Sequence, residues 1–386
     1  MILQTIDTKS GCKNFYVENQ FTENLEQFSN KRFLTWKKSP ALSEQEVDYA
    51  WLMAEGKNLE SYELDGFTKL KAFHKSFITA KVDLNDNCFF DLIPENILRK
   101  YYNQLNTLCQ TIDDNFEKNN LYYHLRDCHE LLESISCNIA NINLDSFKKH
   151  ISSKQDINLL NRVSRKNSIL YNLFGTKTGR LTTKKNSFPV LTLPKKFREC
   201  IEPNNDLLLE FDLNSAEART FLNLIDFDMK GDIHTYNAKH VFRGIPREEA
   251  KVKFFSWLYD LNKTNLFLDQ EYDRQYIIEK FYDGESIETP FGRKIECSRE
   301  KVVNYSLQSI TNDVVLEGAA KIKELLKDKT SNVYFLLHDS IVLDFCREDV
   351  KIIPEIIDIF KDTKVGSYDL NMRSGNNFGA MKEIKI

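Results

Sequence analysis

The stretch VYFLLHDSIVLDF, residues 333–345, contains two apolar runs on either side of a short polar tip formed by His338, Asp339 and Ser340. β-Branched and aromatic residues on both sides of such a tip predict two antiparallel strands joined by a tight hairpin. A carboxylate placed among so many apolar residues is costly unless another group partners it. The question is therefore which residue lies beside Asp339 in the folded chain.

The best candidate for this partner is Asp212, in the stretch LLLEFDLNSAEAR at 207–219. A buried strand is predicted over 206–211, followed by a helix with Asn214 or Ser215 as its N-cap. Two aspartates that end neighbouring strands would offer carboxylate oxygens, which are ligands that Mg²⁺ prefers. Each aspartate could instead cap a turn, and that alternative stays open on these residues alone.

A third element is the stretch REEAKVKFFSWLY, in which Arg247, Lys251, Phe255 and Tyr259 are spaced by four. On a helix these side chains share one slowly drifting face. Two cations and two aromatic rings on one face would suit a triphosphate and the sugar and base attached to it. On spacing alone, an ordinary amphipathic helix with buried rings and solvated cations is the preferred interpretation.

The composition is that of an ordinary globular protein: of 386 residues, 41% are hydrophobic, 12% aromatic and 28% charged. No run of about 18 apolar residues occurs, so no membrane span is expected. Eight cysteines are scattered without a Cys-x-x-Cys pair, which argues against a zinc module or a disulfide framework. We therefore predict a cytoplasmic protein.

Charge is unevenly distributed along the chain. The net charge is −4, which by itself argues against a nucleic-acid partner. Residues 162–198, however, contain ten Lys or Arg and no Asp or Glu. Such a segment can be a basic surface loop or an arm that lies along a phosphate backbone.

Helical and strand patterns occur in separate runs, which favours an α+β fold over a doubly wound sheet. Residues 1–150 have mostly helical spacing and carry no evident chemistry. A strand, a helical middle, a helix from about 307 to 327, the hairpin at 333–345 and a final helix near 350–361 follow.

Together these stretches resemble the family A DNA polymerases, the DNA polymerase I type, over roughly residues 170–386. The resemblance consists of eight segments in the family's order. They are TKTGRLTT (176–183), FDLNSAEAR (211–219), DIHT (232–235), the helix with Arg247 to Tyr259, ETPFGRK (288–294), NYSLQSITNDVV (304–315), HDS (338–340) and GNNFGAMK (375–382). Each segment alone is weak evidence, whereas eight in order are specific.

The resemblance implies a right-hand polymerase fold with an antiparallel palm sheet, helical fingers, a reduced thumb and a helical N-terminal region. Residues 1–150 would be a reduced or degenerate thumb or accessory part, and 151–228 the basic DNA-contact segment with the first part of the palm. Residues 229–285 would form shortened fingers, and 286–386 the rest of the palm. No Asp-x-Glu metal pair occurs in 1–150, so no 3′–5′ exonuclease is expected.

The resemblance also implies the chemistry: template-dependent addition of dNTPs to a primer 3′-hydroxyl by two-metal nucleotidyl transfer. Asp212, Asp339 and Leu213 would hold two Mg²⁺ ions, for which Mn²⁺ can substitute, and Lys251 would donate a proton to pyrophosphate. The residues implied to bind the dNTP are Arg247, Lys251, Phe255, Tyr259, His234, Glu217 and Ser215. Those implied to contact DNA are Arg180, Thr178, Lys177, Arg293, Asn304, Gln308 and His338.

Glu217 has a further implied role, since in this family a Glu at its position blocks a ribose 2′-hydroxyl. The expected partners are primer-template DNA, dNTPs and a processivity or replication protein, with no membrane. Two alternatives stay open: a polymerase-fold protein that binds nucleic acid without catalysis, and a polymerase that copies RNA.

The chain also departs from the family pattern. Ser340 stands where the family has a Glu, and Asp260 replaces the Gly after the helix Tyr. Ser309 replaces the Gly after the motif Gln, and Glu300 replaces an Arg. The segment between Tyr259 and Gly292 is short. The reduced thumb and the missing exonuclease fit a reduced member of phage or mobile-element origin, which would lie in the host cytoplasm if a phage encodes it.

Overall fold

The computed structural model describes residues 2–4, 15–17, 20–22, 65–84, 87, 89–103, 120–164, 167–184 and 187–384. The chain divides into two compact units, Met1–Lys118 and Asn119–Ile386. This division tests none of the four predicted domains, and their bounds stay predictions. Among the described helices, none is both long enough and apolar enough to cross a membrane.

The first unit combines a small sheet with helices. Its strands β1 (Ile2–Gln4), β2 (Phe15–Val17) and β3 (Gln20–Thr22) form an antiparallel meander, which was not predicted from the sequence. Helix α1 spans Asp65–Thr79, and residues 95–103 are also helical. Aromatic rings make its core, with Tyr16 stacked on Tyr102 at 5.5 Å between ring centroids.

The second unit contains most of the described helices and strands. Its helices are α2 (Asn120–Cys137), α3 (Leu144–Lys149), α4 (Lys154–Val163), α5 (Ala216–Leu224), α6 (Ile233–Tyr236), α7 (Arg247–Tyr259), α8 (Leu266–Glu271), α9 (Gln275–Phe281), α10 (Val302–Leu325) and α11 (Ile353–Lys361). Its strands are β4 (Asn141–Ile142), β5 (Tyr171–Asn172), β6 (Thr182–Thr183), β7 (Ile201–Glu202), β8 (Leu207–Leu213), β9 (Ser286–Glu288), β10 (Lys294–Glu296), β11 (Asn332–Leu337), β12 (Ser340–Phe345), β13 (Asp362–Thr363), β14 (Gly366–Ser367), β15 (Leu370–Gly375) and β16 (Lys382–Ile384).

The central sheet has the strand order β11-β12-β8-β15-β16, and all its pairings are antiparallel. The predicted hairpin is confirmed, because β11 and β12 pair directly and His338 at the turn has a left-handed φ of 52°. The mixture of helices with antiparallel sheets is confirmed as well. β8 lies in the middle of the sheet between β12 and β15, which explains why its sequence is so apolar.

Helix α10 is the main support of this unit. It contains 24 residues and packs against α2, α5 and α11. Gly318 permits the close approach of α11, because a Cβ there would lie 2.7 Å from a ring carbon of Phe360. The helix was predicted from about 307 to 327 and begins five residues earlier, at Val302, where Ser298 to Lys301 form a short lead-in turn.

Candidate active site

The central sheet brings Asp212 and Asp339 to neighbouring positions. Ser340, the residue after Asp339, lies opposite Asp212 in the β12–β8 register. The backbone N–H of Leu213 donates to the carbonyl oxygen of Asp339 at 3.2 Å. A carboxylate at the hairpin tip is thus placed beside the end of the middle strand, where Asp212 was the candidate partner.

The pKa of each of the two carboxylates is raised, so the charged form is less favourable than it is in water. Burial raises the pKa of Asp339 to about 6, with the negative charges of Glu217 and Asp212 adding to the rise and Arg180 opposing it. Burial also raises the pKa of Asp212, although a hydrogen bond with Asn371 and the charge of Arg373 lower it. Two buried acids that repel each other would be stabilised by a bound cation.

This donor set fits a magnesium ion. Within the described ranges, no group of three or more His, Cys, Asp or Glu side chains could by itself hold a metal. Mg²⁺ does not require one, because it is usually held by one or two carboxylates together with water and substrate phosphates. Leu213, the third predicted ligand, donates its N–H to the carbonyl oxygen of Asp339, and its own carbonyl oxygen is the atom that would bind an ion.

Glu217 lies in the first turn of α5 and accepts hydrogen bonds from two residues predicted for the same site, Arg180 and Tyr259. The Tyr259 ring stacks on that of Phe255, with centroids 5.7 Å apart and planes 17° from parallel. Burial and the neighbouring Glu217 raise the pKa of the Tyr259 hydroxyl well above its ordinary value, so it is a hydrogen-bond donor at neutral pH. A basic loop, a helix start and a helix end therefore meet at one carboxylate.

Helix α7 begins at Arg247 and ends at Tyr259, and its predicted face is present. Lys251 is exposed one turn along that face from Arg247. The Arg247 guanidinium is not free: Nε and Nη2 donate to the two Asp232 oxygens at 2.9 and 2.8 Å. Asp232 also caps α6 by accepting from the N–H of Thr235 at 2.7 Å.

His234, which the resemblance implied as a dNTP-binding residue, lies in an apolar environment. Its side chain is buried, the residue being 1% exposed, and lies against Phe254 and Phe255. Burial lowers its pKa to about 4, so the ring is neutral at pH 7, and Nδ1 has no hydrogen-bond partner within the described chain. Without a bound phosphate, His234 is therefore a neutral ring with one N–H donor.

Arg293, predicted to contact DNA, lies in a buried ion pair. Its Nε and Nη2 donate to Asp313 at 3.0 and 2.7 Å, and Asp313 also lies 3.1 Å from His124 Nε2. Gly179 has a φ of +77°, and a Cβ there would lie 2.6 Å from the Arg293 guanidinium carbon. Arg293 thus supports the loop that carries Arg180 rather than offering a free cation.

The other residues predicted to contact DNA differ in their exposure to solvent. Lys177 and Arg180 are exposed, Asn304 and Gln308 are half-buried on the first turns of α10, and Thr178 is buried. His338 lies at the hairpin turn, and burial together with Arg180 and Arg198 lowers its pKa. Ser215 is the N-cap residue of α5, but its side chain makes no capping bond and instead lies 3.1 Å from the Asn214 oxygen.

Sequence reasoning missed several residues of this region: Glu210, Asp232, Asn371 and Arg373. Glu210 could have been found, because it precedes Asp212 by two residues and alternation places both on one side of a strand. Asn371 and Arg373 could not, since only the strand order shows that β15 lies next to β8.

Comparisons with known proteins add evidence on the fold. No family model and no curated protein matches the chain. Among the 131 chains of solved structures that match is the "POL domain of Pol1 from M. smegmatis complex with DNA primer-template and dNTP". The match has a TM-score of 0.50 and 14% sequence identity, and it covers 68% of this chain and 66% of that chain, just under two thirds of its length. The likeness shows that this protein has the fold of a polymerase domain.

Proposed function

We propose that the protein is a template-dependent DNA polymerase of the family A type, which adds dNTPs to a primer 3′-hydroxyl. The observation that carries this proposal is the meeting of Asp212 and Asp339 at adjacent strand positions, beside the contact of Glu217 with Tyr259 and Arg180. The polymerase-domain fold supports it.

The two aspartates, with the Leu213 carbonyl, are the residues that would hold Mg²⁺. When bound, two such ions lower the pKa of the primer hydroxyl and neutralise the triphosphate and the leaving pyrophosphate. The chain's own contribution is to fix the carboxylates in a buried corner where their charges favour cation entry. Positioning and charge stabilisation then account for most of the rate.

Helix α7 would bind the incoming nucleotide. Arg247 and the exposed Lys251 would contact the phosphates, Lys251 donating a proton to the leaving group, while Phe255 packs on the sugar. The buried, neutral His234 would add one N–H donor. Glu217, held by Arg180 and Tyr259, would occupy the space that a ribose 2′-hydroxyl needs, so the enzyme would select dNTPs over rNTPs.

In this proposal the sheet with β8 and the β11–β12 hairpin is the palm, and 229–285 are short fingers. The basic segment 162–198 would follow the DNA backbone, with Arg180, Lys177 and Gln308 at the duplex. Arg180 and Gln308 would reach minor-groove acceptors, which are nearly independent of sequence. We also propose that the chain has no proofreading exonuclease and works with a processivity or replication partner, as a reduced, phage-type member.

A primer-extension assay tests this proposal. It uses a labelled primer on a DNA or an RNA template, dNTPs or rNTPs, and Mg²⁺ or Mn²⁺. We expect dNTP-dependent extension that is lost in Asp339→Asn and Asp339→Ala but retained in a matched surface variant, Asp145→Asn. Failure of the wild-type chain to extend any primer, with DNA binding retained, would contradict the proposal and favour a catalytically silent nucleic-acid-binding protein.

A further inference from the structure

The side of the central sheet that carries Asp212 holds another carboxylate, Glu210. Successive side chains of a strand point to opposite faces, so two residues separated by one share a face. Glu210 is 5% exposed, although Glu is a residue type that is rarely buried without a partner. It lies in the middle strand of the sheet, where an apolar residue would pack without cost.

The contacts of Glu210 reach both neighbouring strands. On β12, Ser340 Oγ lies 3.2 Å from Glu210 Oε1. On β15, Arg373 is directly opposite Glu210, and its Nη1 lies 3.5 Å from Oε2. Among the described residues, each carboxylate oxygen therefore has one side-chain polar contact, and the arginine side chain is 46% exposed.

Neither contact fully satisfies the carboxylate. The Ser340 hydroxyl has a single proton, and the Leu337 carbonyl oxygen, at 3.1 Å, is a second acceptor for it. When the hydroxyl donates to Leu337, Oε1 of Glu210 has no donor from Ser340. Glu210 thus has an oxygen that can still accept a hydrogen bond, and Asp212 lies on the same side of the strand. Burying two such carboxylates costs folding free energy, and a bound cation would reduce that cost.

The geometry also links Glu210 to position 340, where the sequence has Ser instead of an acid. Ser340 lies opposite Asp212 in register, and its side-chain oxygen is within hydrogen-bond distance of the Glu210 carboxylate. A carboxylate carried by residue 340 and one carried by residue 210 would thus compete for nearly the same place. The chain has the carboxylate at position 210 and none at position 340.

We propose that Glu210 adds from β8 a third negative charge on the side of the sheet that carries Asp212, in place of one at position 340, and so favours a divalent cation that Asp212 and Asp339 bind. Arg373 is its counter-ion while no cation is bound. Glu210 is therefore a positioning residue. This inference rests on the proposed function, because it assigns a role toward the same metal pair.

The test measures Mn²⁺ binding to the full chain without DNA or dNTP, by electron paramagnetic resonance of free Mn²⁺. Losing a residue that supports metal ligands costs about 10–100-fold in metal affinity, and we expect a loss in that range for Glu210→Gln. The double variant Glu210→Ala/Ser340→Glu should regain most of that affinity, because it returns a carboxylate to the same place from the other strand. Glu288→Gln, an exposed acid on β9, is the matched control and should bind as wild type.

If Glu210 served only to stabilise the fold, these variants would give different Mn²⁺ affinities. Unchanged Mn²⁺ affinity in Glu210→Gln, or no recovery in the double variant, would overturn the inference. If Glu210→Gln does not fold, the Arg373→Gln variant is tested instead. It lacks the cation that competes with the metal, so we expect it to bind Mn²⁺ more tightly than the wild type. Weaker Mn²⁺ binding would overturn the role of Arg373 as a counter-ion. If Mn²⁺ binding depends on Glu210 but the wild type extends no primer, only the proposed function is wrong. If the wild type extends a primer but Mn²⁺ binding does not depend on Glu210, only this inference is wrong.

Discussion

The hydroxyl group of Tyr259 donates a hydrogen bond to the carboxylate of Glu217, which also accepts one from Arg180. Tyr259 is the last residue of α7, Glu217 lies in the first turn of α5, and Arg180 belongs to the basic segment. One carboxylate therefore joins three segments that are distant in sequence. Because it also lies close enough to Asp339 to raise that residue's pKa, it belongs to the same site.

Replacing Glu217 with Ala is expected to admit ribonucleotides. The change removes the group that would block a 2′-hydroxyl, so discrimination between dNTP and rNTP, measured as the ratio of kcat/KM values, should fall by about 100-fold. Tyr259→Phe is the matched control, since it removes the hydrogen bond but keeps both the ring and the carboxylate. An unchanged ratio in Glu217→Ala would contradict the assignment of this residue.

The ion pair between Arg247 and Asp232 leads to a second prediction. A triphosphate that binds Arg247 has to compete with the two Asp232 oxygens that now accept its N–H groups. Asp232→Asn keeps an oxygen to cap α6 but removes the negative charge. We expect this variant to have a lower KM for dNTP with little change in kcat, measured by steady-state primer extension.

Two further variants complete that experiment. Arg247→Gln should raise the KM for dNTP by about 10-fold or more, because a charge-assisted contact to phosphate is lost. Glu248→Gln removes the other acid that accepts from Arg247, at 2.6 Å, without touching the cap of α6. A higher KM in Asp232→Asn would mean that Asp232 orients Arg247 instead of competing for it.

The buried cluster of Arg293, Asp313 and His124 should dominate local stability. Removing the charge of Asp313 leaves a buried guanidinium without its partner, so Asp313→Asn should lower the free energy of unfolding by about 3–5 kcal/mol. Asp145→Asn, whose partner Lys148 is exposed, should change it little. Urea denaturation measures both, and equal effects of the two changes would contradict the prediction.

His124 gives this cluster a pH dependence. Burial alone would lower its pKa, but the Cys128 thiol at 3.6 Å and the Asp313 carboxylate raise it to about 10. A folded-state pKa above the unfolded value of about 6.5 means a contribution that is fully present below pH 6.5 and lost as the pH rises toward 10. The unfolding free energy of the wild type should therefore fall more between pH 7 and 10 than that of His124→Phe. Parallel pH curves for the two proteins would show that His124 is neutral in the folded state.

The sequence was sufficient for the parts of the fold that have a strong local pattern. Alternating and apolar runs predicted β8 and the β11–β12 hairpin. The four-residue spacing predicted the face of α7 that now carries Arg247 to Tyr259. These are short-range signals, which depend only on residues close together in the chain.

Other features depend on pairings between distant segments, and no local pattern reports them. Arg373 reaches Glu210 only because β15 lies against β8, and the burial of Arg293 follows from α10 placing Asp313 beneath it. His234 was implied to bind the dNTP, and its burial against Phe254 and Phe255, which lowers its pKa, was not predicted. Burial therefore sets the charge state of His234, which the spacing of residues in the sequence does not report.

Arg274 holds the C-terminal end of α7, and its removal is expected to affect both stability and nucleotide binding. Its guanidinium stacks over Trp257 at 4.8 Å and donates to the carbonyl oxygens of Trp257, Asp260, Leu261 and Lys263. Arg274→Ala leaves carbonyls at a helix end without donors, so the free energy of unfolding should fall by about 3 kcal/mol. Because Tyr259 is in that last turn, the KM for dNTP should rise as well. Arg299→Ala is the matched control, since Arg299 is exposed and donates only to Gln275 at 3.1 Å among its described contacts, and it should change neither quantity. A destabilised Arg274→Ala variant with an unchanged KM would show that the stability of α7 and the proposed nucleotide-binding role of its Arg247–Tyr259 face are independent.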